Sequence, residues 1–234
     1  MTPAQLPLRM RLRDSSVFAS YFAGSNKPTV EALLALAPHR PPTCVWLHGG
    51  PSVGKTHLLQ ASCVHWSQQG ASSAYIPLRD ETAGEELLSG YGQLQLVAVD
   101  DAEVLAGRSE WERALFSLHQ ELDECGGHLL IAGSAPPAAL GYRLRDLASR
   151  LNGGLVLTLR GLEDREQMQA LQLRAQLRGF ELPEETAQYL LRRLPRDMAR
   201  LCAFLDELDE ASLAAQRRLT VPFVREVMEK ERRG

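Results

Sequence analysis

The stretch HGGPSVGKTHLL (48–59) constrains the fold of this 234-residue chain more than any other part of the sequence. It satisfies the pattern GxxxxGK[ST], which indicates a phosphate-binding loop only where it lies between a strand and a helix. The run TCVWLHG (43–49) before it is apolar and of strand length, and residues 55–69 after it have a helical pattern. The sequence therefore predicts a phosphate-binding loop that joins a strand to a helix.

Each residue type in this loop has a chemical role toward a nucleotide. The glycines let backbone N–H groups surround a phosphate at the start of a helix, and Lys55 supplies a positive charge to the β- and γ-phosphates. The Thr56 hydroxyl can ligate Mg²⁺. The nucleotide-binding residues predicted in the loop are Gly49, Gly50, Pro51, Ser52, Val53, Gly54, Lys55, Thr56 and His57.

Four more apolar runs of strand length follow, at 72–78, 94–101, 128–134 and 155–159. Each is nearly continuous in apolar character, which is typical of parallel strands that are covered on both faces. Helical stretches lie between the runs. This alternation predicts a doubly wound α/β fold with a five-stranded parallel sheet flanked by helices.

After Leu162 the pattern changes, because no further strand-like run appears. Helices are predicted at 163–178, 183–194, 196–215 and 220–232, and together they would form a small all-helical lid. The predicted organisation is a flexible N-terminal tail at 1–13, a nucleotide-binding α/β domain at 14–161 and a helical lid domain at 162–234.

Acidic residues at the end of another strand supply the second half of such a site. Asp100 in LVAVDD is predicted to hold Mg²⁺ through water, so that Thr56 and Asp100 form the candidate metal site. Asp101 lies where hydrolytic enzymes of this class usually have a Glu that activates the attacking water. Since Asp is one methylene shorter, slow self-hydrolysis is predicted. The alternative is that both aspartates only cap a strand.

Two further residues are singled out by their place in the chain. Ser134 follows the fourth strand and is predicted to lie near the γ-phosphate, with ordinary turn chemistry as the alternative. Arg150 lies in LRDLASRL (144–151), a short helical stretch before the last strand. We expect Arg150 to face a neighbouring subunit and to stabilise charge on the γ-phosphoryl group bound there, although most surface arginines are only solvated.

Composition excludes several classes of protein. A net charge of −3 argues against autonomous nucleic-acid binding, which normally requires many Lys and Arg contacts to phosphates. The four cysteines form no CxxC pair, so neither a disulfide framework nor a zinc site is predicted. No ordinary signal peptide and no run of about 18 apolar residues is present, and we expect a cytoplasmic protein.

The N-terminal stretch AQLPLRM (4–10) places apolar residues in an otherwise polar leader. Gln5, Leu6, Leu8 and Met10 are typical of a linear recognition motif whose alternate side chains enter pockets of a partner. Packing of these residues onto the body of the protein is the alternative.

The order of these motifs resembles the AAA+ module of the bacterial replication initiator DnaA, and more specifically the Hda family of short DnaA regulatory inactivators. The resemblance covers nearly the whole chain. Its motifs are the phosphate-binding loop, VDD, AGSAPP, LASRL, LRGFELPEETAQYLLRRL (177–194) and LTVPFVREVM (219–228). The stretch SVFASYFAGSN (16–26) is similar to the segment that flanks the nucleotide in this family. The stretch AQLPLRM is similar to the sliding-clamp-binding hexapeptide of this family, although Arg9 and Met10 depart from its usual Pro-Leu ending.

The resemblance implies a negative regulator of chromosomal replication initiation. Such a protein holds ADP, or alternatively ATP, with Mg²⁺. It binds the DNA-loaded sliding clamp (the β subunit of DNA polymerase III) through its N-terminal motif, and it contacts DNA only through that clamp. It presents an arginine, here Arg150, to ATP bound on DnaA, and it can form a homodimer or a higher oligomer. The chain also ends where initiators continue into a helix-turn-helix domain, which favours the inactivator.

One departure from the family pattern bears on the mechanism. Family members usually carry a lid arginine that contacts the nucleotide's phosphates, and Ala199 occupies that position here, with Arg196 and Arg200 close by in the sequence. Either a neighbouring residue substitutes for this arginine or the contact is lost. Loss of the contact, together with Asp101, predicts a very weak intrinsic ATPase or none. Three alternatives remain open: an autonomous ATPase or loader that remodels a replication partner, a small-molecule kinase, which the helical block of ~70 residues disfavours, and an adaptor that only bridges clamp and initiator.

Overall fold

The fold is built on one five-stranded parallel sheet, as predicted. The structure is a computed structural model, and it describes residues 16–37, 44–79, 84–195 and 197–231. The strands are β1 (Cys44–Gly49), β2 (Ser73–Pro77), β3 (Leu96–Asp100), β4 (His128–Gly133) and β5 (Leu155–Leu159), arranged in the order β2-β3-β4-β1-β5. All four neighbouring pairs are parallel.

Helices cover both faces of this sheet. They are α1 (Lys27–Leu34), α2 (Lys55–Gln68), α3 (Ser109–Cys125) and α4 (Arg145–Gly153), and short 3₁₀ turns occupy Phe18–Ser20, Gly24–Asn26, Glu85–Leu88, Ala102–Leu105 and Pro137–Ala139. The sequence did not predict α1. It has only eight residues, carries a proline in its first turn and buries only Thr29 and Leu33, so its periodic signal is weak.

The central strands are apolar on both sides because helices pack on each face. On one face, Trp46, Val97 and Ile131 pack against the α3 and α4 side. On the other face, Leu47, Ala98 and Leu130 pack against α1 and α2. Every residue of β3 and β4 is buried, whereas the edge strand β5 exposes its first residues.

The C-terminal part is a helical lid with a core of its own, as predicted. Its helices are α5 (Asp164–Leu177), α6 (Glu184–Arg193), α7 (Met198–Ala215) and α8 (Val221–Glu231). Leu171, Leu190, Leu205 and Val224, one from each helix, are fully or almost fully buried in one apolar cluster. In the described ranges, no helix has the combined length and hydrophobicity that crossing a membrane requires.

Sheet topology brings the candidate chemical groups to one edge. Because the strands are parallel, the carboxyl ends of β1, β3 and β4 meet at the same edge, and ligands of open α/β sheets bind there. The loop after Gly49 follows β1, Asp100 is the last residue of β3, and Ser134 follows β4, so all three lie at this edge.

Candidate nucleotide-binding site

The loop between β1 and α2 has a backbone that requires glycine. Gly54 has a φ of +94°, and a Cβ atom there would lie 2.5 Å from the ring of Tyr21. Gly49 leaves equally little room, since a Cβ atom would lie 2.5 Å from the carbonyl oxygen of Leu159. Substitution at either position would therefore strain or displace the loop that is predicted to bind phosphate.

Lys55 is held at this loop by backbone carbonyls. Its Nζ atom donates to the oxygen of Gly49 at 2.8 Å and to that of Gly50 at 2.7 Å. An ammonium group has three donors, so these two bonds leave one donor for an anion. Lys55 is the first residue of α2, and the N-terminus of a helix adds its own attraction for a phosphate.

The candidate metal ligands Thr56 and Asp100 are in direct contact. The Thr56 hydroxyl donates to Asp100 Oδ2 at 2.6 Å, and the Tyr75 hydroxyl donates to the same oxygen at 2.9 Å. Asp100 is buried, and its other oxygen accepts the backbone N–H of Asp101 at 3.0 Å. One carboxylate and one hydroxyl, completed by phosphate oxygens and water, is a ligand set that suits Mg²⁺.

Asp101 is engaged differently from its neighbour. It has a left-handed backbone with a φ of +60°, and its Oδ2 atom lies 3.0 Å from Nε of Arg79. Burial and the Asp100 carboxylate raise the pKa of Asp101, while Arg79 acts in the opposite direction. The residue at the position of the expected base is therefore paired with a cation that also lines the cavity described below.

The segment SVFASYFAGSN (16–26), which the family resemblance predicts to flank the nucleotide, closes one side of the loop. The Tyr21 hydroxyl donates to the carbonyl of Val53 at 3.1 Å, and burial raises the pKa of Tyr21 to about 12. His57 Nε2 lies 3.0 Å from the carbonyl oxygen of Val17. Burial lowers the pKa of His57, the bond to Val17 raises it, and the charge of Arg174 lowers it.

A cavity of ≈ 510 Å³ lies between the loop, this segment and the lid. Its volume is in the range of small-molecule sites. The predicted residues Pro51 to His57 and Asp101 line it, together with Tyr21 and Phe22 of the N-terminal segment. The lid side is formed by Leu162, Ala170, Arg174, Met198, Ala199, Cys202, Ala203 and Asp206.

The structure does not bring every predicted residue to this cavity. Gly49, Gly50, Asp100 and Ser134 are not among its lining residues, although Gly50 follows Gly49 at the loop and Asp100 contacts Thr56. Ser134 is exposed, and its backbone N–H donates to Glu103 at 3.2 Å. The clamp-binding residues Gln5, Leu6, Leu8 and Met10 lie outside the described residues.

Arg150, on α4, is also not among the residues that line this cavity. Its guanidinium carbon is 5.1 Å from the centre of the Phe116 ring on α3, and Nη1 lies 3.5 Å from Nδ1 of His119. Burial lowers the pKa of His119, and the charge of Arg150 lowers it further. Among the described residues, no ion pair to Arg150 is present.

A buried glutamate fixes α4 next to α3. Glu112 is fully buried and accepts the backbone N–H groups of Gly107 at 2.7 Å, Arg143 at 2.9 Å and Leu144 at 2.7 Å. Leu144 is the residue before the first turn of α4. Glu112 therefore joins the start of the helix that carries Arg150 to the helix that carries Phe116.

Comparison with known proteins extends over nearly the whole chain. The family model described as the bacterial DnaA ATPase domain matches residues 12–158, and the model described as the Hda lid domain matches residues 164–228. Together, the two matches span both the α/β sheet and the helical lid.

Solved structures share the fold. Domain III of the Thermotoga maritima replication initiation protein DnaA is 22% identical and superimposes with a TM-score of 0.77 over 93% of this chain and 97% of that chain. A replication initiator DnaA bound to AMPPCP and single-stranded DNA is 20% identical, with a TM-score of 0.69 over 95% and 70%. The Thermotoga maritima RuvB branch migration motor is 17% identical, with a TM-score of 0.65 over 88% and 68%.

Proposed function

Because the chain belongs to the bacterial DnaA ATPase-domain family, with a lid that matches the Hda model, we propose that it is a negative regulator of chromosomal replication initiation. In this proposal it binds ADP in its own cavity, associates with the DNA-loaded sliding clamp and stimulates hydrolysis of ATP on DnaA. Arg150 is the group that acts on the ATP of DnaA.

The placement of Arg150 carries this proposal. An arginine that served the chain's own nucleotide would line the cavity, but Arg150 lies on α4 against Phe116 and His119. An arginine supplied in trans neutralises charge that develops on a transferring phosphoryl group, and this can be worth about 10³ to 10⁵ in rate. A half-buried cation without an acidic partner in the described chain suits that role.

The chain's own nucleotide then has a mainly structural role. Asp101 is paired with Arg79, and Ala199 on the lid wall offers no charge to a phosphate. Both features support slow intrinsic turnover and an ADP-bound state. Lys55 and the loop amides would hold the phosphates, and Mg²⁺, which neutralises phosphate charge, would be held by Thr56 and Asp100.

The proposed partners follow from the sequence motifs. Gln5, Leu6, Leu8 and Met10 would bind the β clamp, and DNA would be reached only through the clamp. The proposed setting is the bacterial cytoplasm, where DnaA is the target and where the protein itself can associate into a dimer or higher oligomer. The proposed units are the tail at 1–13, the α/β domain at 14–161 and the lid at 162–234.

The test of the central step is Arg150→Ala. Hydrolysis of ATP bound to DnaA is measured with loaded clamp on DNA, and Arg145→Ala, an exposed arginine of the same helix, serves as the matched control. We expect Arg150→Ala to lose at least about 99% of the stimulation and Arg145→Ala to retain most of it. Unchanged stimulation by Arg150→Ala would refute the arginine-finger mechanism.

The clamp interaction is tested separately. The intact chain and Gln5→Ala are compared for retention on immobilised clamp. We expect the substitution to abolish retention without changing ADP binding, because Gln5 belongs to the proposed clamp-binding motif and ADP is proposed to be held by the phosphate-binding loop. Retention of both proteins would exclude a role for Gln5, and failure of the intact chain to be retained would remove the clamp from the proposal. Either result would leave the role of Arg150 intact.

A further inference from the structure

Among the residues that the structure describes, the lid contributes one arginine to the wall of the cavity. Arg174 lies on α5 and lines the same cavity as the phosphate-binding loop, with only 13% of its side chain exposed. The other described arginine and lysine side chains that line the cavity, Arg79 and Lys55, belong to the α/β part. Arg174 is thus a largely buried positive charge opposite the loop.

Arg174 is incompletely paired. Its nearest acidic atom is Oδ1 of Asp206, which lies 3.8 Å from Nε of Arg174. This Nε atom is buried and has no hydrogen-bond partner in the part of the chain that the structure describes. A buried donor without a hydrogen-bond partner destabilises the folded state, so an acceptor supplied by a ligand would bind favourably there.

Asp206 has a closer partner than Arg174. Nη1 of Arg178 lies 2.7 Å from the same Oδ1 atom and 3.9 Å from Oδ2 of Asp209. If Arg174 moved away from Asp206, the carboxylate would therefore keep a cation beside it. The lid can release Arg174 without leaving an unpaired buried negative charge, which would otherwise be strongly destabilising.

We propose that Arg174 binds the terminal phosphate of the nucleotide in this cavity, exchanging its weak contact with Asp206 for a charge-assisted hydrogen bond. The inference rests on the proposed function only in requiring that the cavity holds a nucleoside diphosphate or triphosphate. Arg174, on α5, thereby supplies the phosphate contact that Ala199, on α7, cannot make. Nucleotide binding then joins the lid to the loop through one side chain.

The experiment compares Arg174→Gln with Arg178→Gln. Both substitutions remove a cation from Asp206, but Arg178 is not among the cavity-lining residues. ADP and AMP affinities are measured by titration calorimetry on the full chain, and the unfolding midpoint without nucleotide checks the fold. We expect Arg174→Gln to weaken ADP binding about ten- to a hundredfold and AMP binding by less than about threefold.

Arg178→Gln should keep ADP affinity within about threefold, while Arg174→Lys should recover part of it because the charge remains. Equal loss of ADP affinity in Arg174→Gln and Arg178→Gln would overturn the proposal, since the effect would then come from the ion pair of the lid. Wild-type affinity in Arg174→Gln, or equal losses for ADP and AMP, would overturn it as well.

A second measurement separates this inference from the proposed function. At saturating ADP, Arg174→Gln should stimulate the ATP hydrolysis of DnaA like the wild-type chain. If Arg150→Ala leaves stimulation unchanged while Arg174→Gln weakens ADP binding, the proposed function fails and the role of Arg174 stands. If the wild-type chain binds no ADP, both fail.

Discussion

Two regions of the molecule hold an arginine near a histidine, but the surroundings differ. In the cavity, Arg174 acts on His57 and lies 3.8 Å from the carboxylate of Asp206. On the α3–α4 surface, Arg150 lies over Phe116 and beside His119, with no acidic partner in the described chain. The first arginine lines the cavity, and the second is half-buried between an aromatic ring and a histidine.

The difference indicates which arginine can act on another molecule. An acidic neighbour competes with an incoming phosphate, so Arg174 must exchange partners when a ligand binds. An aromatic ring does not compete in this way, because it holds the cation through its face while the N–H donors remain directed elsewhere. This difference supports the proposal that Arg150 acts on a phosphate bound to another molecule.

The largest expected effect on the α3–α4 surface around Arg150 comes from a substitution of Glu112. Replacing it by Ala would leave three partly buried backbone N–H groups without their acceptor, at the junction of α3 and α4. We expect the free energy of unfolding to fall by about 3 kcal/mol and the stimulation of DnaA to be lost, because α4 is no longer fixed. Urea unfolding measures the first effect. Glu110→Ala, exposed on the same helix, should change neither, and similar behaviour of both variants would show that Glu112 does not fix α4.

Local sequence patterns were sufficient for the sheet, the lid and the phosphate-binding loop. Apolar runs mark strands, and the spacing GxxxxGK[ST] specifies a strand, a turn and a helix at once. The contacts that complete the site were not predictable in this way. Asn26 bonds to the backbone of Arg160, 134 residues away, and no local pattern indicates such a partner.

The arginines show the same limit. The position of Arg150 in the order of motifs identified it, but its contacts with Phe116 and His119 depend on how α4 packs on α3. Arg174 lies in an ordinary helical stretch, and only the folded lid brings it to the cavity. Charged residues are abundant on helix surfaces, so sequence alone gave no reason to select it.

Asp206→Asn tests whether the inner arginine is restrained by its acidic neighbour. Removing the carboxylate frees Arg174 for a phosphate, and we expect ADP binding to tighten about three- to tenfold. Part of this gain would come simply from removing a negative charge that lines the cavity. The same substitution in an Arg174→Gln background isolates the coupling, because only the part that acts through Arg174 disappears. Equal gains in both backgrounds would contradict the restraint.

Phe116→Leu tests the aromatic support of the outer arginine. Leucine keeps apolar packing but removes the ring face, and a cation–π contact at a partly exposed site is worth about 0.5–1 kcal/mol. We expect stimulation of DnaA to fall about two- to fivefold, with ADP affinity unchanged. Tyr189→Leu, which removes the ring beneath Arg193 in the lid, is the control and should stimulate normally. An unchanged rate for Phe116→Leu would mean that the ring does not position Arg150.

The smallest expected effect is also the most direct measure of the two regions, because each histidine reports on its own arginine. Burial is the first cause that lowers the pKa of both His57 and His119, and each arginine lowers it further. NMR titration should therefore show the pKa of His119 rising in Arg150→Ala and that of His57 rising in Arg174→Gln. Neither substitution should change the pKa of the histidine in the other region. A change in both pKa values would show that the two regions are coupled.

The same shifts set the sign of the pH dependence. Both histidines bind protons more weakly in the folded chain than at their unfolded value near 6.5, so their contribution to stability is complete above about pH 6.5 and is lost as the pH falls below it. Arg150→Ala should make this loss of stability at low pH smaller, because the pKa of His119 would rise toward its unfolded value. ADP should raise the pKa of His57, since phosphate brings negative charge to the loop, and should leave His119 unchanged. A shift of His119 on ADP addition would contradict the separation of the outer arginine from the chain's own nucleotide.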